Sequence, residues 1–453
     1  MLYRKISKKI EQYLSSPSER LLMIEGARQI GKSYIIRHIG EKMFANFIEI
    51  NMEEDRLGER YFAEARTTKD FYMALSLVAG EKMKEKENTL VFIDEIQAYE
   101  HLLTLVKFLM RDNRFTFIAS GSLLGITLKN TQSVPMGSIE IVKMYPMDFE
   151  EFLYANGVGR EAVEGIRDSF LHNRGLSDSL HAKMMDLFKK YLIVGGLPKA
   201  VATFIESRNV VEVRSIQNEV HSLYEVDCLK YEEENKRKLK ILRLYEMIPS
   251  TLENKKKRIV IKDIENKSWK RAENYQEEFD YLISAGVALE VKAISKPSYP
   301  LIENSGKNLM KLYLNDVGIL SAIYYPLNIK AIMTDIRSIN LGTIYETVVA
   351  QELMAHGYGL YYYDNKKNGE VDFLIDDPEN LSNIPLEVKS GKDYSVHSAL
   401  SRFLSTEEYN INRAYVLSNE QSVETKNGIT YIPIYYIMFF ERQSVWEEPL
   451  LLL

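Results

Sequence analysis

The sequence predicts an α/β fold that begins with a doubly wound parallel sheet. An apolar strand runs directly into a glycine-rich loop at residues 26–33, and a second apolar strand ends in two acids at residues 94–95. Helical periodicity follows both strands, and alternating strands and helices are typical of a parallel sheet covered on both faces. With 453 residues, the chain is long enough for roughly two to four domains.

The composition is that of a globular protein, with 45% hydrophobic and 27% charged residues and a net charge of -6. This balance argues against a polyelectrolyte partner for the whole surface, although local basic patches remain compatible with it. The single cysteine, Cys228, excludes an intrachain disulfide and a thiolate cluster, as in cytoplasmic proteins. We find no signal-peptide pattern and no apolar run near the ~20 residues of a membrane span, so a cytoplasmic location and no membrane partner are expected.

The glycine-rich loop predicts a nucleotide site. The stretch "LLMIEGARQIGKS", residues 21–33, contains G-x-x-x-x-G-K-[ST] between a strand and a helix. Its backbone N–H groups would surround phosphate oxygens, Lys32 would reach the β- and γ-phosphates, and the Ser33 hydroxyl would bind Mg²⁺. The predicted ATP-binding set is Gly26, Ala27, Arg28, Gln29, Ile30, Gly31, Lys32, Ser33, Tyr34 and Asp94.

The ends of the next two strands predict the residues of hydrolysis. In "NTLVFIDEIQ", Asp94 would hold the Mg²⁺ water shell and Glu95 would polarise the attacking water. In "RFTFIASGSLLG", Ser120 or Ser122 could bond the γ-phosphate or that water, with Ser120 as the catalytic candidate. A strand-ending turn is the alternative interpretation of both serines. Strands at 47–51 and 139–144 would complete a five-stranded sheet.

Together, "GARQIGKS", "VFIDEIQ", "ASGSLLG" and "VPMGSIEIVKMYPMDFEEFL" resemble the AAA-type P-loop ATPases of bacteria and archaea that carry a C-terminal DUF4143-like domain of unknown function. "YLIVGGLPKAV" and "KLYLNDVGIL" resemble later signatures of that family. The resemblance implies ATP hydrolysis with Mg²⁺ and makes a homo-oligomer a candidate. Where relatives carry Gly-Arg, this chain has Gly137-Ser138, so no arginine finger is assigned. Arg111 and Arg114 precede the sensor strand, but a helix end at the surface explains them equally well.

The middle of the chain predicts a helical lid and then a winged-helix-like region. "SWKRAENYQEEFDYLISAGV" has the length and spacing of a recognition helix, and "ALEVKAI" is expected to be a wing strand. Basic residues around the helix make DNA a candidate partner of the middle region. A solvated charged face is the alternative, because Glu273, Glu277 and Glu278 also lie on this helix. The basic residues are Lys255, Lys256, Lys257, Arg258, Lys267, Lys270 and Arg271.

The C-terminal part predicts the element order α-β-β-β-α-β-β. Side chains alternate along a strand, so Glu387 and Lys389 share a face, and Asp372 of the preceding strand could join them. Two adjacent carboxylates repel each other unless a cation such as Mg²⁺ lies between them. The set Glu346, Asp372, Glu387 and Lys389 resembles that of the PD-(D/E)xK nuclease superfamily. This resemblance implies catalytic roles for all four residues, with Asp372 and Glu387 as metal ligands and Lys389 orienting a metal-bound water.

These observations lead to two functional hypotheses. In the first, an AAA-type ATPase uses its nucleotide state to control a restriction-endonuclease-like C-terminal domain that acts on DNA. In the second, the chain is a nucleotide-gated switch whose C-terminal domain is catalytically inactive and binds a protein or nucleic-acid partner. The predicted domains are an ATPase core at 1–154, a lid at 155–225, a winged-helix-like region at 226–300 and a nuclease-like domain at 301–453.

Overall fold

The structure, a computed structural model, describes residues 2–16, 19–83, 88–122, 136–230, 235–253, 275–334, 341–365, 367–391, 395 and 397–442. The chain divides into two units. The first comprises Tyr3–Tyr145 and Asp280–Val287, and the second comprises Pro146–Phe279 and Ala288–Leu453. The four domains predicted from the sequence remain a prediction.

The first unit contains the predicted five-stranded sheet. All neighbouring strands are parallel, in the order β2-β3-β4-β1-β5. This confirms the expectation of an α/β fold with a parallel sheet. The strands are β1 (Leu21–Glu25), β2 (Asn46–Asn51), β3 (Thr89–Asp94), β4 (Thr116–Gly121) and β5 (Ile139–Lys143).

Helices on this unit cover a sheet that is apolar on both faces. Every residue of β1 and β3 is buried, as expected for central strands of a parallel sheet. The helices are α1 (Ile6–Ser15), α2 (Lys32–Met43), α3 (Met52–Leu57), α4 (Thr68–Ala79) and α5 (Glu100–Asp112), with 3₁₀ turns at Gly80–Lys82, Ile96–Ala98 and Met136–Ser138.

Parallel pairing brings the carboxyl ends of three strands to one edge of the sheet. Ile93 pairs with Ala119, and Ile24 pairs with Ser120, so the residues after β1 and β3 lie beside the end of β4. Strand β1 lies between β4 and β5. From β1 the chain crosses to β2 at one edge of the sheet, and the later strands return past β1 to β5 at the other edge, so the direction of the strand order reverses beside β1. In open α/β sheets such a reversal creates the crevice in which ligands bind.

The second unit begins with the predicted helical region. Asp148 caps the first helix by accepting from Glu151 N, and the Glu151 side chain accepts from Asp148 N in return. The helices are α6 (Phe149–Ala155), α7 (Arg160–Leu171), α8 (Asp178–Val194), α9 (Pro198–Ser207), α10 (Val210–Lys230) and α11 (Asn235–Glu253). A further helix, α12 (Gln276–Ser284), begins in the second unit and ends in the segment 280–287 of the first.

The second unit also contains a mixed sheet of eight strands in the order β12-β13-β11-β10-β9-β8-β6-β7. The strands are β6 (Ala288–Ile294), β7 (Ser305–Leu314), β8 (Tyr361–Asn365), β9 (Gly369–Asp377), β10 (Ser382–Val388), β11 (Ala414–Ser418), β12 (Glu424–Lys426) and β13 (Ile429–Pro433). Its helices are α13 (Val317–Tyr324), α14 (Lys330–Met333), α15 (Gly342–Ala355) and α16 (Ser398–Leu404), with 3₁₀ turns at Leu301–Asn304, Glu407–Tyr409 and Ile434–Phe439.

One strand belongs to a different element from the one predicted. "ALEVKAI", expected as a wing strand, is β6, which pairs antiparallel with β7 and parallel with β8 in the eight-stranded sheet. The wing-strand expectation is therefore wrong, because backbone pairing with distant strands decides where a short apolar strand lies. The start of the predicted recognition helix and the seven basic residues around it lie outside the described residues. No helix among the described residues is both long and apolar enough to cross a bilayer.

Candidate functional site

The glycine-rich loop connects the end of β1 to the start of α2. Two of its residues have positive φ, Gln29 at 65° and Gly31 at 92°, and Gly31 is the N-cap of α2. A Cβ on Gly26 would lie 2.3 Å from the carbonyl oxygen of Met144, so only glycine fits there without displacing the backbone after β5. The loop therefore presents main-chain N–H groups at a helix N-terminus, which is an arrangement that binds phosphate.

Lys32, the first residue of α2, is buried within this loop. Its Nζ donates to the carbonyl oxygens of Gly26 and Ala27, at 2.9 and 2.8 Å. These hydrogen bonds keep the ammonium group over the loop, where an incoming triphosphate would replace the two carbonyls as its acceptors. By contrast, the ring of Tyr34 is 57% exposed and stacks on His38.

Arg4, for which no role was predicted from the sequence, hydrogen-bonds to the main chain of the loop. The guanidinium of this buried residue donates from Nη1 to Ile30 O at 2.9 Å and from Nη2 to Tyr145 O at 2.6 Å. One side chain thus connects the loop to the segment after β5. No motif could have identified it, because Arg4 lies in a basic N-terminal stretch typical of a solvated helix.

Asp94 lies between two serine hydroxyls at the edge of the sheet. Ser33 Oγ donates to Asp94 Oδ2 at 2.8 Å, and Ser120 Oγ donates to Asp94 Oδ1. Burial raises the pKa of Asp94, and the two hydroxyl hydrogen bonds and Lys32 oppose that rise. A carboxylate beside a serine hydroxyl is the kind of oxygen set that suits Mg²⁺, so Ser33 and Asp94 fit the predicted metal role.

Glu95 follows Asp94 on a left-handed turn, with φ of 49° and ψ of 45°. Its Oε2 accepts from Ser122 Oγ at 3.1 Å and from the side-chain nitrogen of Gln97. The two candidate serines therefore contact different acids, Ser120 the first and Ser122 the second. Gln97 is the last residue of "VFIDEIQ", in which only the two acids have a role predicted from the sequence.

The C-terminal candidates lie on three neighbouring elements of the second unit. Glu346 is buried on α15, Asp372 lies on β9, and Glu387 is buried on β10 just before Lys389. Lys389 Nζ donates to Glu387 Oε1 at 2.8 Å, and Val388 N donates to Asp372 Oδ2 at 2.8 Å. The structure thus places Asp372 against the backbone of β10, next to the Glu387–Lys389 pair.

Electrostatic coupling joins these groups. Burial is the main cause that raises the pKa of Glu387; the neighbouring Lys389 lowers it and Glu346 adds to the rise. Burial alone would lower the pKa of Lys389, but attraction to Glu387, Asp372 and Glu346 raises it overall. Glu387 Oε2 is buried and has no hydrogen-bond partner among the described residues. One carboxylate oxygen at the centre of the cluster is therefore available to a cation.

Strand β7 adds two residues to this cluster that the sequence reasoning missed. Tyr313 Oη donates to Glu346 Oε2 at 3.0 Å, and Lys311, whose side chain is fully buried, pairs with Glu370 at 2.5 Å. The Lys311 ammonium also lies 4.5 Å from the centroid of the Tyr362 ring. Both residues stand in "KLYLNDVGIL", but a lysine in a strand gives no signal that it is buried.

The cluster does not provide three metal ligands. Among the described residues, which include Glu346, Asp372 and Glu387, no group of three or more His, Cys, Asp or Glu is placed to hold a metal ion. Two of these acids accept hydrogen bonds from other groups, Glu346 Oε2 from Tyr313 Oη and Asp372 Oδ2 from Val388 N.

Comparison with known families supports the geometry of the first unit. Residues 18–153 match the family model of an AAA domain. The chain carries an AAA-type ATPase domain. After the AAA domain, residues 185–331 match a domain of unknown function, DUF8612, and residues 341–437 match another, DUF4143. The family resemblance predicted from the motifs is confirmed to that extent.

The chain is distantly similar to the solved structures of two other proteins. A Walker-type ATPase of Pyrococcus abyssi is 16% identical, with a TM-score of 0.43, and the match covers 72% of this chain and 96% of that one. The Thermotoga maritima RuvB Holliday junction branch migration motor is 15% identical, with a TM-score of 0.28 and coverage of 63% and 89%. Values this low carry no argument about function. None of the curated proteins compared matches the chain.

Proposed function

We propose that the protein hydrolyses ATP at the AAA domain. The observation that carries this proposal is the placement of Asp94, whose two oxygens accept from Ser33 of the phosphate loop and from Ser120 of β4. The glycine-rich loop, the proposed metal-binding acid Asp94 and the proposed sensor hydroxyl of Ser120 thus lie at one edge of the sheet. This is the set of groups that phosphoryl transfer requires, since its catalysis consists mainly of positioning and charge stabilisation.

Each residue has a defined part in this reaction. Lys32 exchanges its bonds to the Gly26 and Ala27 carbonyls for bonds to the β- and γ-phosphates. Ser33 and Asp94 would hold Mg²⁺, which when bound neutralises developing charge on the phosphates. Glu95 accepts a proton from water as the water oxygen bonds to the γ-phosphorus. The bond from that phosphorus to the β–γ bridging oxygen breaks, and ADP leaves with the electron pair.

Replacing Glu95 with glutamine tests this proposal. The change removes the proton acceptor but keeps the shape of the side chain, so kcat for phosphate release should fall by about 10²- to 10⁴-fold. ATP affinity, measured by calorimetry, should stay within about threefold, because the loop and Asp94 are unchanged. Glu41→Gln, at an exposed position of α2, is the matched control. Equal turnover in Glu95→Gln and wild type would exclude Glu95 as the base.

We also propose that the nucleotide state controls the second unit through residues 280–287. This segment belongs to the first unit, and a Cβ on Gly286 would lie 3.1 Å from Ala27 N. Ala27 is one of the two residues whose carbonyls bind Lys32. Two residues after Gly286 the chain enters β6 of the eight-stranded sheet. A rearrangement of the loop on ATP binding would therefore act on a segment that continues directly into that sheet.

A second candidate function is metal-dependent cleavage of a phosphodiester by the C-terminal cluster, with DNA as the proposed substrate. The specific observation in its favour is the buried, unpartnered oxygen of Glu387. Glu346, Glu370, Asp372 and Glu387 carry four negative charges when ionised, and Lys311 and Lys389 carry two positive charges. The net charge of -2 would be balanced by one divalent cation, which Asp372 and Glu387 would hold. Lys389 would then orient the attacking water.

A cleavage assay separates this candidate from an inactive, partner-binding domain. Plasmid and oligonucleotide DNA are incubated with Mg²⁺ or Mn²⁺, with and without ATP, and Asp372→Asn and Lys389→Met are compared with wild type. Cleavage that falls at least about 100-fold in both variants supports the nuclease. Lys426→Met, at an exposed position of β12, controls for loss of one positive charge. Intact DNA under every condition supports the nucleotide-gated switch.

A further inference from the structure

Glu95, the proposed general base, has an unusual main-chain conformation. Its φ of 49° and ψ of 45° are left-handed values that a glutamate adopts only where surrounding contacts favour them. The turn is closed by Glu95 N donating to Asp94 Oδ1 at 3.1 Å and by Ala98 N donating to Glu95 O at 2.9 Å. The 3₁₀ turn that follows places Gln97 beside the Glu95 side chain.

Both polar contacts of the Glu95 carboxylate are made by one oxygen. Gln97 Nε2 and Ser122 Oγ both donate to Oε2, and Gln97 Nε2 lies 3.4 Å from Ser122 Oγ. Oε1 accepts no hydrogen bond from the described residues. The carboxylate is therefore oriented through one oxygen while the other remains available to a water molecule.

The two serines at the end of β4 donate hydrogen bonds to different acids. Ser120 lies in β4, and Ser122 follows the last residue of that strand, Gly121. Ser120 donates to Asp94, and Ser122 donates to Glu95. Asp94 is thereby held for the metal, and Glu95 is held for the attacking water, although the two residues are adjacent in the chain.

Gln97 is buried, and its hydrogen bonds to the described residues are made by the side-chain nitrogen. The residue is 9% exposed, and its Oε1 has no hydrogen-bond partner among the described residues. Burying an amide oxygen without a partner costs free energy that an apolar side chain of similar length would avoid. Packing alone therefore does not explain a glutamine here, whereas the donation to Glu95 does.

We infer that Gln97 is a positioning residue for ATP hydrolysis, which holds Glu95 Oε2 together with Ser122 so that Oε1 receives the proton of the attacking water. This inference rests on the proposed ATPase function and extends it to residues outside the phosphate-loop motif. Gln97 acts on the chemical step and not on nucleotide binding, because its polar contacts are with Glu95 and Ser122 and with no residue of the loop.

Gln97→Met tests the inference, since methionine matches glutamine in length and lacks the donor. We expect kcat for phosphate release to fall by about 10- to 100-fold, a fraction of the general-base contribution. KM and the calorimetric Kd for ATP should stay within about twofold. Gln12→Met, at an exposed position of α1, is the matched control. In the Glu95→Gln background, Gln97→Met should cause no further loss, because the group it positions is already absent.

Several results would overturn the inference without touching the ATPase proposal. These are unchanged or increased kcat in Gln97→Met while Glu95→Gln is inactive, and an additional loss when the two changes are combined. If Gln97→Met has a lower melting temperature than wild type, Ser122→Ala replaces it, with the same expected loss of kcat at unchanged KM. An inactive wild type would instead contradict the proposed ATPase function itself. An active Glu95→Gln would contradict the role of Glu95 as the base, and the positioning role of Gln97 would fall with it.

Discussion

Replacing Lys32 with alanine is expected to abolish ATP turnover, with a loss of at least about 10²- to 10³-fold in kcat/KM. Lys32 is the only lysine of the glycine-rich loop, and its ammonium lies within hydrogen-bonding distance of the Gly26 and Ala27 carbonyls. In the complex with ATP this charge would offset the β- and γ-phosphate charges where water is partly excluded. The measurement is steady-state phosphate release together with calorimetric titration of ATP and of a non-hydrolysable analogue.

The control for Lys32→Ala is Lys42→Ala, an exposed lysine near the other end of the same helix. Both variants lose one positive charge from α2, so their comparison separates the position of the charge from its number. Lys42→Ala should keep wild-type turnover. Undiminished turnover in Lys32→Ala would mean that the loop is not the hydrolytic site, and the roles of Asp94 and Glu95 would fall with it.

Replacing Asp316 with alanine is expected to cause the largest loss of stability in the second unit. The carboxylate is fully buried and caps α13, accepting from Gly196 N at 2.6 Å and from Ile319 N at 3.1 Å. Alanine would leave both N–H groups buried without an acceptor, at a cost of about 1–3 kcal/mol each. The free energy of unfolding should fall by roughly 2–5 kcal/mol, measured by urea unfolding followed by circular dichroism.

The same residue predicts a dependence of stability on pH. Burial raises the pKa of Asp316 from 3.8 to about 6, although the backbone N–H groups of Gly196, Ile319 and Gly318 favour the ionised form. Because the folded state binds the proton more tightly than the unfolded state, this group stabilises the fold most below about pH 4. Its contribution then falls by about 3 kcal/mol as the pH rises through 6.

Asp316→Asn isolates this titration from all others. Asparagine cannot ionise in this range, so the difference in unfolding free energy between wild type and variant should change by roughly 2 kcal/mol between pH 4 and pH 7. Asp178→Asn, at an exposed position at the start of α8, is the control and should show little change. A pH-independent difference for Asp316→Asn would contradict the raised pKa.

The AAA domain could be predicted because its signals are local. The glycines of the loop, the acids at the end of β3 and the serines at the end of β4 each follow a short apolar run. Parallel strands then bring their carboxyl ends to one edge whatever the helices between them contain. The residues that orient this site gave no such signal. Arg4 lies in a basic N-terminal stretch before α1, and Gln97 differs from a surface glutamine only through its contacts.

The C-terminal unit shows the limit of the same reasoning. Apart from the additional three-residue strand β12, the helices and strands follow the predicted order, and the Glu387–Lys389 contact follows from the alternation of side chains along a strand. Whether Glu346 joins Asp372 and Glu387 around one cation does not follow from it, since Tyr313 of a distant strand bonds Glu346. The assignment of Ala288–Ile294 failed because this strand pairs not only with the next strand, β7, but also with β8, which begins at Tyr361.

The sequence by itself determined that the chain has an AAA domain with a parallel sheet, and it located the glycine-rich loop and the acids proposed for hydrolysis, because these depend on residue types at short spacing. Only the tertiary structure decided which serine contacts which acid, that Gln97 and Ser122 hold Glu95, and that Lys311 and Tyr313 join the C-terminal carboxylates. Those contacts join residues brought together by packing and strand pairing. Neither spacing nor composition records the distances between such residues, which depend on how every intervening element packs.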